Sequence, residues 1–147
     1  MRTAVLCLVA LAVTACGSSS PKPLAKTAWI AKADAICTQS QASIRALGAP
    51  TDLAAVATYG TKVGDILEQE IAAIRALPPP AADRATIDRM LTEANQGVAV
   101  ARHLSTLAAS GDAAAVQQYA TTSQTATASA RQLAQAYGLK VCGQATG

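Results

Sequence analysis

The sequence has 147 residues with a formal net charge of +3, and charged side chains make up only 14% of it. This length fits one compact domain rather than two. The small charge, from basic residues spread along the chain, argues against a nucleic-acid partner. Alanine supplies 36 residues and phenylalanine none, so we expect close-packed helices around a narrow core of small side chains.

The N-terminus has the pattern of a secretory signal. Arg2 precedes an apolar run from Ala4 to Val13, about half the length that a membrane-spanning helix needs. The run ends in Val13-Thr14-Ala15-Cys16, which is followed by Gly-Ser-Ser-Ser. These residues resemble the lipobox of bacterial membrane lipoproteins. The resemblance implies that residues 1–15 are a signal peptide, and that acylated Cys16 anchors the chain on the extracytoplasmic face of the cell membrane.

An ordinary secretory signal cut after Ala15 is the alternative, and it would leave Cys16 as a free thiol. Under either interpretation the Gly-, Ser- and Pro-containing residues 16–26 form a flexible tether. Ten such residues span about 17 Å root-mean-square. We therefore expect the folded domain, residues 27–147, to lie close to the lipid headgroups when Cys16 is acylated.

Two predicted helices open the domain. The first runs from about Thr27 to Leu47, because apolar side chains recur at spacings of three and four. It ends at Gly48-Ala49-Pro50, a sequence typical of a helix stop. Thr51 or Asp52 caps the second helix, which reaches Leu77 before three consecutive prolines.

Two further helices are predicted after the prolines. The third covers residues 81–109 and ends at a Ser-Gly-Asp break in which Asp112 is a natural N-cap. The fourth runs on to Tyr137, where Gly138 and Leu139 predict a Schellman stop. Four amphipathic helices with short connections predict an all-α fold, an antiparallel up-down-up-down four-helix bundle.

Cys37 and Cys142 remain once Cys7 leaves with the signal and Cys16 carries the lipid. Two cysteines in an exported protein favour a disulfide. Cys37 lies about 15 Å inside the first helix, and residues 138–142 can span at most about 14 Å, so the tail must turn back along that helix. A redox-active dithiol or a pair of metal thiolates are the alternatives, but neither has CxxC spacing.

Few other side chains indicate chemistry. His103 is the sole histidine and is expected at the surface, and Met90 lies about 20 Å from it along one helix, too far for both to bind one haem iron. Glu70 falls in the apolar seam of the second helix and needs a partner, for which Arg75 and Arg102 are candidates. No catalytic or metal-binding motif occurs, so neither enzyme activity nor a cofactor is expected.

The fourth predicted helix has a hydroxyl-rich stretch that includes Thr122 and Thr125. It is interpreted either as a partner-binding slot or as a solvated face. Beyond the lipobox, the runs Ala-Asp-Ala-Ile-Cys at 33–37 and Tyr-Gly-Leu-Lys-Val-Cys-Gly at 137–143 resemble small, Ala-rich, two-cysteine helical lipoproteins of actinobacteria. That resemblance implies no activity.

Two hypotheses for the function follow. The first is a non-enzymatic, envelope-anchored module that binds a protein or cell-wall partner, for which changes at Thr122 or Thr125 would abolish capture. The second is a carrier that holds a small apolar ligand, such as a lipid or haem, between the helices. Enlarging Ala94 or Ala130 to Leu would then abolish binding. The scarcity of aromatic residues argues against a large pocket.

Overall fold

The computed structural model describes residues 21–144, and these residues form helices, turns and short connections without a β-strand. The helices are α1 (Lys26–Ala46), α2 (Leu53–Arg75), α3 (Arg84–Ala109), α4 (Ala113–Thr122) and α5 (Ala128–Tyr137). The predicted all-α class is confirmed. The predicted signal peptide, residues 1–15, and the predicted lipidation site Cys16 lie outside the described residues. Within residues 21–144, no helix combines the length and hydropathy needed to cross a membrane.

The first three helices lie where the sequence predicts them. The Asp52 side chain caps α2 by accepting a hydrogen bond of 2.7 Å from the Ala55 backbone N–H. After the prolines, a single 3₁₀ turn at Ala81–Asp83 leads into α3. Pro fixes the backbone dihedral φ and cannot donate a backbone hydrogen bond, so the chain leaves α2 and re-enters helix over these few residues.

The prediction of one continuous fourth helix is wrong, because turns over residues 123–127 separate α4 from α5. Hydroxyl side chains in this stretch bond to nearby backbone carbonyls. Thr125 Oγ1 donates to Thr122 O over 3.2 Å, and Thr127 Oγ1 donates to Gln124 O over 3.3 Å. Such local bonds compete with helical geometry, and five hydroxyl residues between Thr121 and Thr127 supply them in succession.

The end of α5 has the predicted glycine stop. Gly138 has a φ of 111°, a left-handed conformation that favours glycine. The Leu139 N–H donates to Ala134 O over 2.9 Å, and the Leu139 side chain is buried. This six-to-one bond with its apolar contact is a Schellman motif, and it turns the tail away from the helix axis.

Helices α2 and α3 approach each other closely at two glycines. A Cβ on Gly60 would lie 2.7 Å from Ala101 O, and a Cβ on Gly64 would lie 3.0 Å from Arg102 Nε. The Thr61 and Ser105 hydroxyls also hydrogen-bond across the same contact, 2.8 Å apart. Small side chains therefore set the distance between these two helices.

An aromatic pair anchors α5 to α1. Trp29 is fully buried and meets Tyr137 edge to face, with ring centroids 5.6 Å apart. The Tyr137 hydroxyl donates to Asp83 Oδ2 over 2.8 Å. Burial, together with this bond, raises the pKa of Tyr137, so the hydroxyl remains a donor at neutral pH. Lys26 Nζ lies 4.2 Å from the centroid of the same ring.

The C-terminal tail turns back along α1, as the predicted cysteine pairing requires. Asp34 accepts backbone hydrogen bonds from Lys140, Val141 and Cys142, at 2.9, 2.8 and 3.2 Å. The Sγ atoms of Cys37 and Cys142 form a disulfide. The two runs singled out in the sequence, 33–37 and 137–143, thus contact each other and fasten the tail to the first helix.

Candidate ligand-binding cavity

A cavity of about 320 Å³ lies between α1, α2, α3, the start of α5 and the tail, and it opens to solvent. Its volume is at the lower end of the range for small-molecule sites, about 300–1,000 Å³. Apolar side chains dominate the lining. Those from α2 and α3 are only half-buried, namely Val56, Val63, Leu67, Val100 and Leu104.

Small residues create this space. Ala94, Gly97 and Ala101 on α3, together with Ala130 on α5, line the cavity. A Cβ on Gly97 would contact only Leu67 Cδ1, at 3.7 Å. The alanines that favour close helix approach therefore also leave a gap where α5 does not fill the groove between α2 and α3.

A second, smaller cavity of about 70 Å³ adjoins the first. Five residues line both: Glu70, Ala94, Ala130, Arg131 and Cys142. The two charged side chains of the site thus lie where the cavities meet, and the disulfide forms part of the same wall. Ala94 and Ala130, the positions predicted to control ligand binding, are both in this shared lining.

Glu70 is the carboxyl group of the cavity. Its Oε1 lies 3.5 Å from Cys37 Sγ. Burial raises the pKa of Glu70, and the nearby Ser40 hydroxyl has a smaller, opposite effect. Desolvation disfavours the charged form of a carboxyl group, which is the physical cause of this upward shift.

The partners predicted for Glu70 are wrong. Arg102 pairs instead with Asp65 at 2.8 Å and with Glu68 at 3.0 Å. Among residues 21–144 these are the ion pairs within 4.0 Å, so Arg75 does not pair with Glu70 either. Arg102 lies beside Gly64 at the contact between α2 and α3. Its guanidinium therefore reaches the exposed carboxylates of Asp65 and Glu68 on α2.

Arg131 is the basic group of the cavity, and the sequence patterns did not single it out. It is half-buried in the first turns of α5. Its Nη1 donates to Thr127 Oγ1 over 3.2 Å, and no carboxylate of the described residues lies within 4.0 Å of its guanidinium. A half-buried arginine without an acidic partner is available to an anion.

The other chemically distinctive residues do not converge on the main cavity. His103 is exposed, as predicted, and its ring packs against that of Tyr119, with the two ring centroids 4.4 Å apart. Met90 is buried and lines only the smaller cavity. Over residues 21–144, no group of three His, Cys, Asp or Glu side chains is arranged to hold a metal ion.

Thr122 and Thr125 lie at the exposed junction between α4 and α5. Their hydroxyls bond to carbonyls of their own segment, at Gln118 and Thr122 respectively. These donors are therefore already used within the chain. A role for the two threonines in binding a protein or cell-wall partner stays a prediction.

The chain matches no protein family model, no curated protein and no solved structure.

Proposed function

We propose that this chain is a non-enzymatic, envelope-anchored lipoprotein whose helical domain carries a small apolar molecule. The cavity between α1, α2, α3 and α5 is the observation that carries the proposal, because it is lined by half-buried apolar side chains and is large enough for a small ligand. Burying those side chains against a ligand would stabilise the complex by about 25 cal/mol for each Å² of apolar surface removed from water.

The lining suits a lipid-like molecule better than haem. Haem iron takes an axial His, Cys, Met or Tyr ligand. His103 lies outside the lining, and both cysteines of the lining are joined in the disulfide. Tyr59 is the one remaining ligand type in the main cavity. The donor set thus favours an organic amphiphile over a coordinated metal.

The proposal includes membrane attachment through acylated Cys16. Leu24 packs against the core, and its backbone N–H donates to Pro78 O over 3.2 Å. Leu24 therefore belongs to the folded domain, although the sequence places it in the tether. A diacylated chain gives stable anchoring. The cavity would therefore work within a short distance of the bilayer surface.

The proposal also includes the arrangement of the helices as a four-helix bundle. We take α1, α2 and α3 as the first three members of an up-down-up-down bundle, with α4 and α5 together as the fourth. The Gly60 contact between α2 and α3 and the anchoring of α5 to α1 through Tyr137 support this arrangement. The interruption at residues 123–127 would then account for the opening of the cavity.

Calorimetric titration of the full chain with decan-1-ol tests the carrier function, because this probe has an apolar chain and an uncharged head. We expect saturable one-to-one binding to the wild type. Binding should be lost in Ala94→Leu and Ala130→Leu, which fill the shared lining. Ala99→Leu, on the exposed face of α3, is the matched control and should bind as the wild type does.

Two results would contradict the carrier function. One is the absence of saturable decanol binding by the folded wild type, and the other is equal binding by Ala130→Leu. The membrane anchor is tested separately by the denatured mass of protein from its own membranes, in which acylation adds the mass of the lipid to Cys16. An unmodified thiol at Cys16 would contradict the anchor while leaving the cavity proposal unaffected.

A further inference from the structure

The ligand class follows from the shape of the cavity and from its two charged side chains. The lining on α2 extends from Val56 to Glu70, a distance of about 21 Å at 1.5 Å per residue. A volume of about 320 Å³ spread over that length makes a narrow slot. Such a slot suits one extended alkyl chain better than a fused ring system.

The two charged side chains lie at one end of this slot. Glu70 and Arg131 are shared with the smaller cavity, whereas Val56 and Tyr59 line the main cavity alone. A ligand with a single polar head and an apolar chain matches this distribution. Its head would lie beside Glu70 and Arg131, and its chain would follow the half-buried side chains of α2 and α3.

The charge of Arg131 determines which kind of polar head group the cavity can bind. A guanidinium has five N–H donors, and within the described chain the Arg131 side chain makes one hydrogen bond, to Thr127. A carboxylate fits two of the remaining donors side by side. A cationic head would meet the positive charge of Arg131 in the same lining.

We infer that the cavity binds a single-chain amphiphile with a monoanionic carboxylate head, held by Arg131. This inference rests on the proposed carrier function and deepens it. Arg131 is the residue that distinguishes an anionic head from a neutral one, because it is the only cation in the lining.

The test compares three ligands that share a ten-carbon chain, namely decanoate, decan-1-ol and decylamine, by calorimetric titration of the full chain at neutral pH. We expect decanoate to bind at least tenfold more tightly than the other two. Arg131→Gln should remove that preference by weakening decanoate binding at least tenfold. Arg131→Lys keeps the positive charge and should retain part of the preference, which separates loss of charge from loss of fold.

Arg89→Gln is the matched control, because Arg89 is an exposed α3 residue outside the lining. It should bind all three ligands as the wild type does. Equal affinities for decanoate and decan-1-ol, or an unchanged decanoate preference in Arg131→Gln, would overturn the assignment of the head group and leave the carrier function standing. Tightest binding of decylamine would also overturn it, by identifying Glu70 as an ionised partner of a cation. Binding of none of the three would instead reject the carrier function itself.

Discussion

At the scale of single residues, Glu70 is a half-buried carboxyl group whose environment disfavours its charged form. The carboxyl lies against the disulfide and lacks the arginine partner that its seam position predicted. Burial raises its pKa above the ordinary value of 4.5. The stabilisation from keeping Glu70 neutral is therefore fully present below about pH 4.5 and is lost as the pH rises through the folded-state pKa.

Glu70→Gln removes that pH dependence, because the amide keeps the shape and cannot ionise. We expect the variant to melt at a higher temperature than the wild type at pH 7, and the difference to vanish near pH 4. Thermal unfolding, followed by circular dichroism between pH 4 and pH 7, measures this difference in melting temperature. Glu68→Gln, at an exposed position that pairs with Arg102, should not reproduce the pattern. A constant difference between wild type and Glu70→Gln at every pH would contradict this account of Glu70.

At the scale of helices, the contact between α2 and α3 depends on Gly60. Alanine at this position would place Cβ 2.7 Å from Ala101 O, so the helices must separate. We expect Gly60→Ala to lower the free energy of unfolding by about 1–3 kcal/mol. Gly97→Ala is the matched control, since its Cβ meets only Leu67 at 3.7 Å, and it should raise stability by about 0.5–1 kcal/mol through helix propensity. Urea unfolding measures both changes. Equal effects of the two substitutions would show that α2 and α3 are not in close contact at Gly60.

Helix boundaries are the part of the fold that the sequence predicts best. Asp52 and Asp112 both cap the helices expected of them, and Gly138 ends α5 as its spacing indicates. These signals are local, because a cap bonds to a backbone group three residues away. The turns at residues 123–127 also have a local signal in the sequence, namely a series of hydroxyl residues. Their alanine neighbours favour helix equally strongly, so composition alone did not decide between one helix and two.

At the scale of the whole molecule, the cavity could be predicted only in part. Ala94 and Ala130 were identified because they lie on the inner faces of their helices. Arg131 was not identified, because its exposure depends on how α5 is rotated after the turns, which is a tertiary property. The scarcity of aromatic residues argues against a large pocket, and the cavity of about 320 Å³ is at the lower end of the range for small-molecule sites. Small residues account for this cavity, since glycine and alanine leave space wherever the facing helix does not close the gap.

The disulfide also acts on the whole chain, because it joins residues separated by 105 positions. Loop closure of this length stabilises a fold by up to about 4–5 kcal/mol in the chain-entropy model. We expect the double variant Cys37→Ser, Cys142→Ser to lose stability of that order in urea unfolding, and reduced wild type to match it. Unchanged stability in both would show that the hydrogen bonds to Asp34 hold the tail without the bridge.

The central claim is that the cavity carries a small molecule, and native mass spectrometry of the protein extracted from its own membranes tests it most directly. We expect the native spectrum to contain the mass of one small molecule that is absent from the denatured spectrum, and Ala130→Leu to lack it. Identical native and denatured masses for the wild type, with the same result for Ala130→Leu, would contradict the claim.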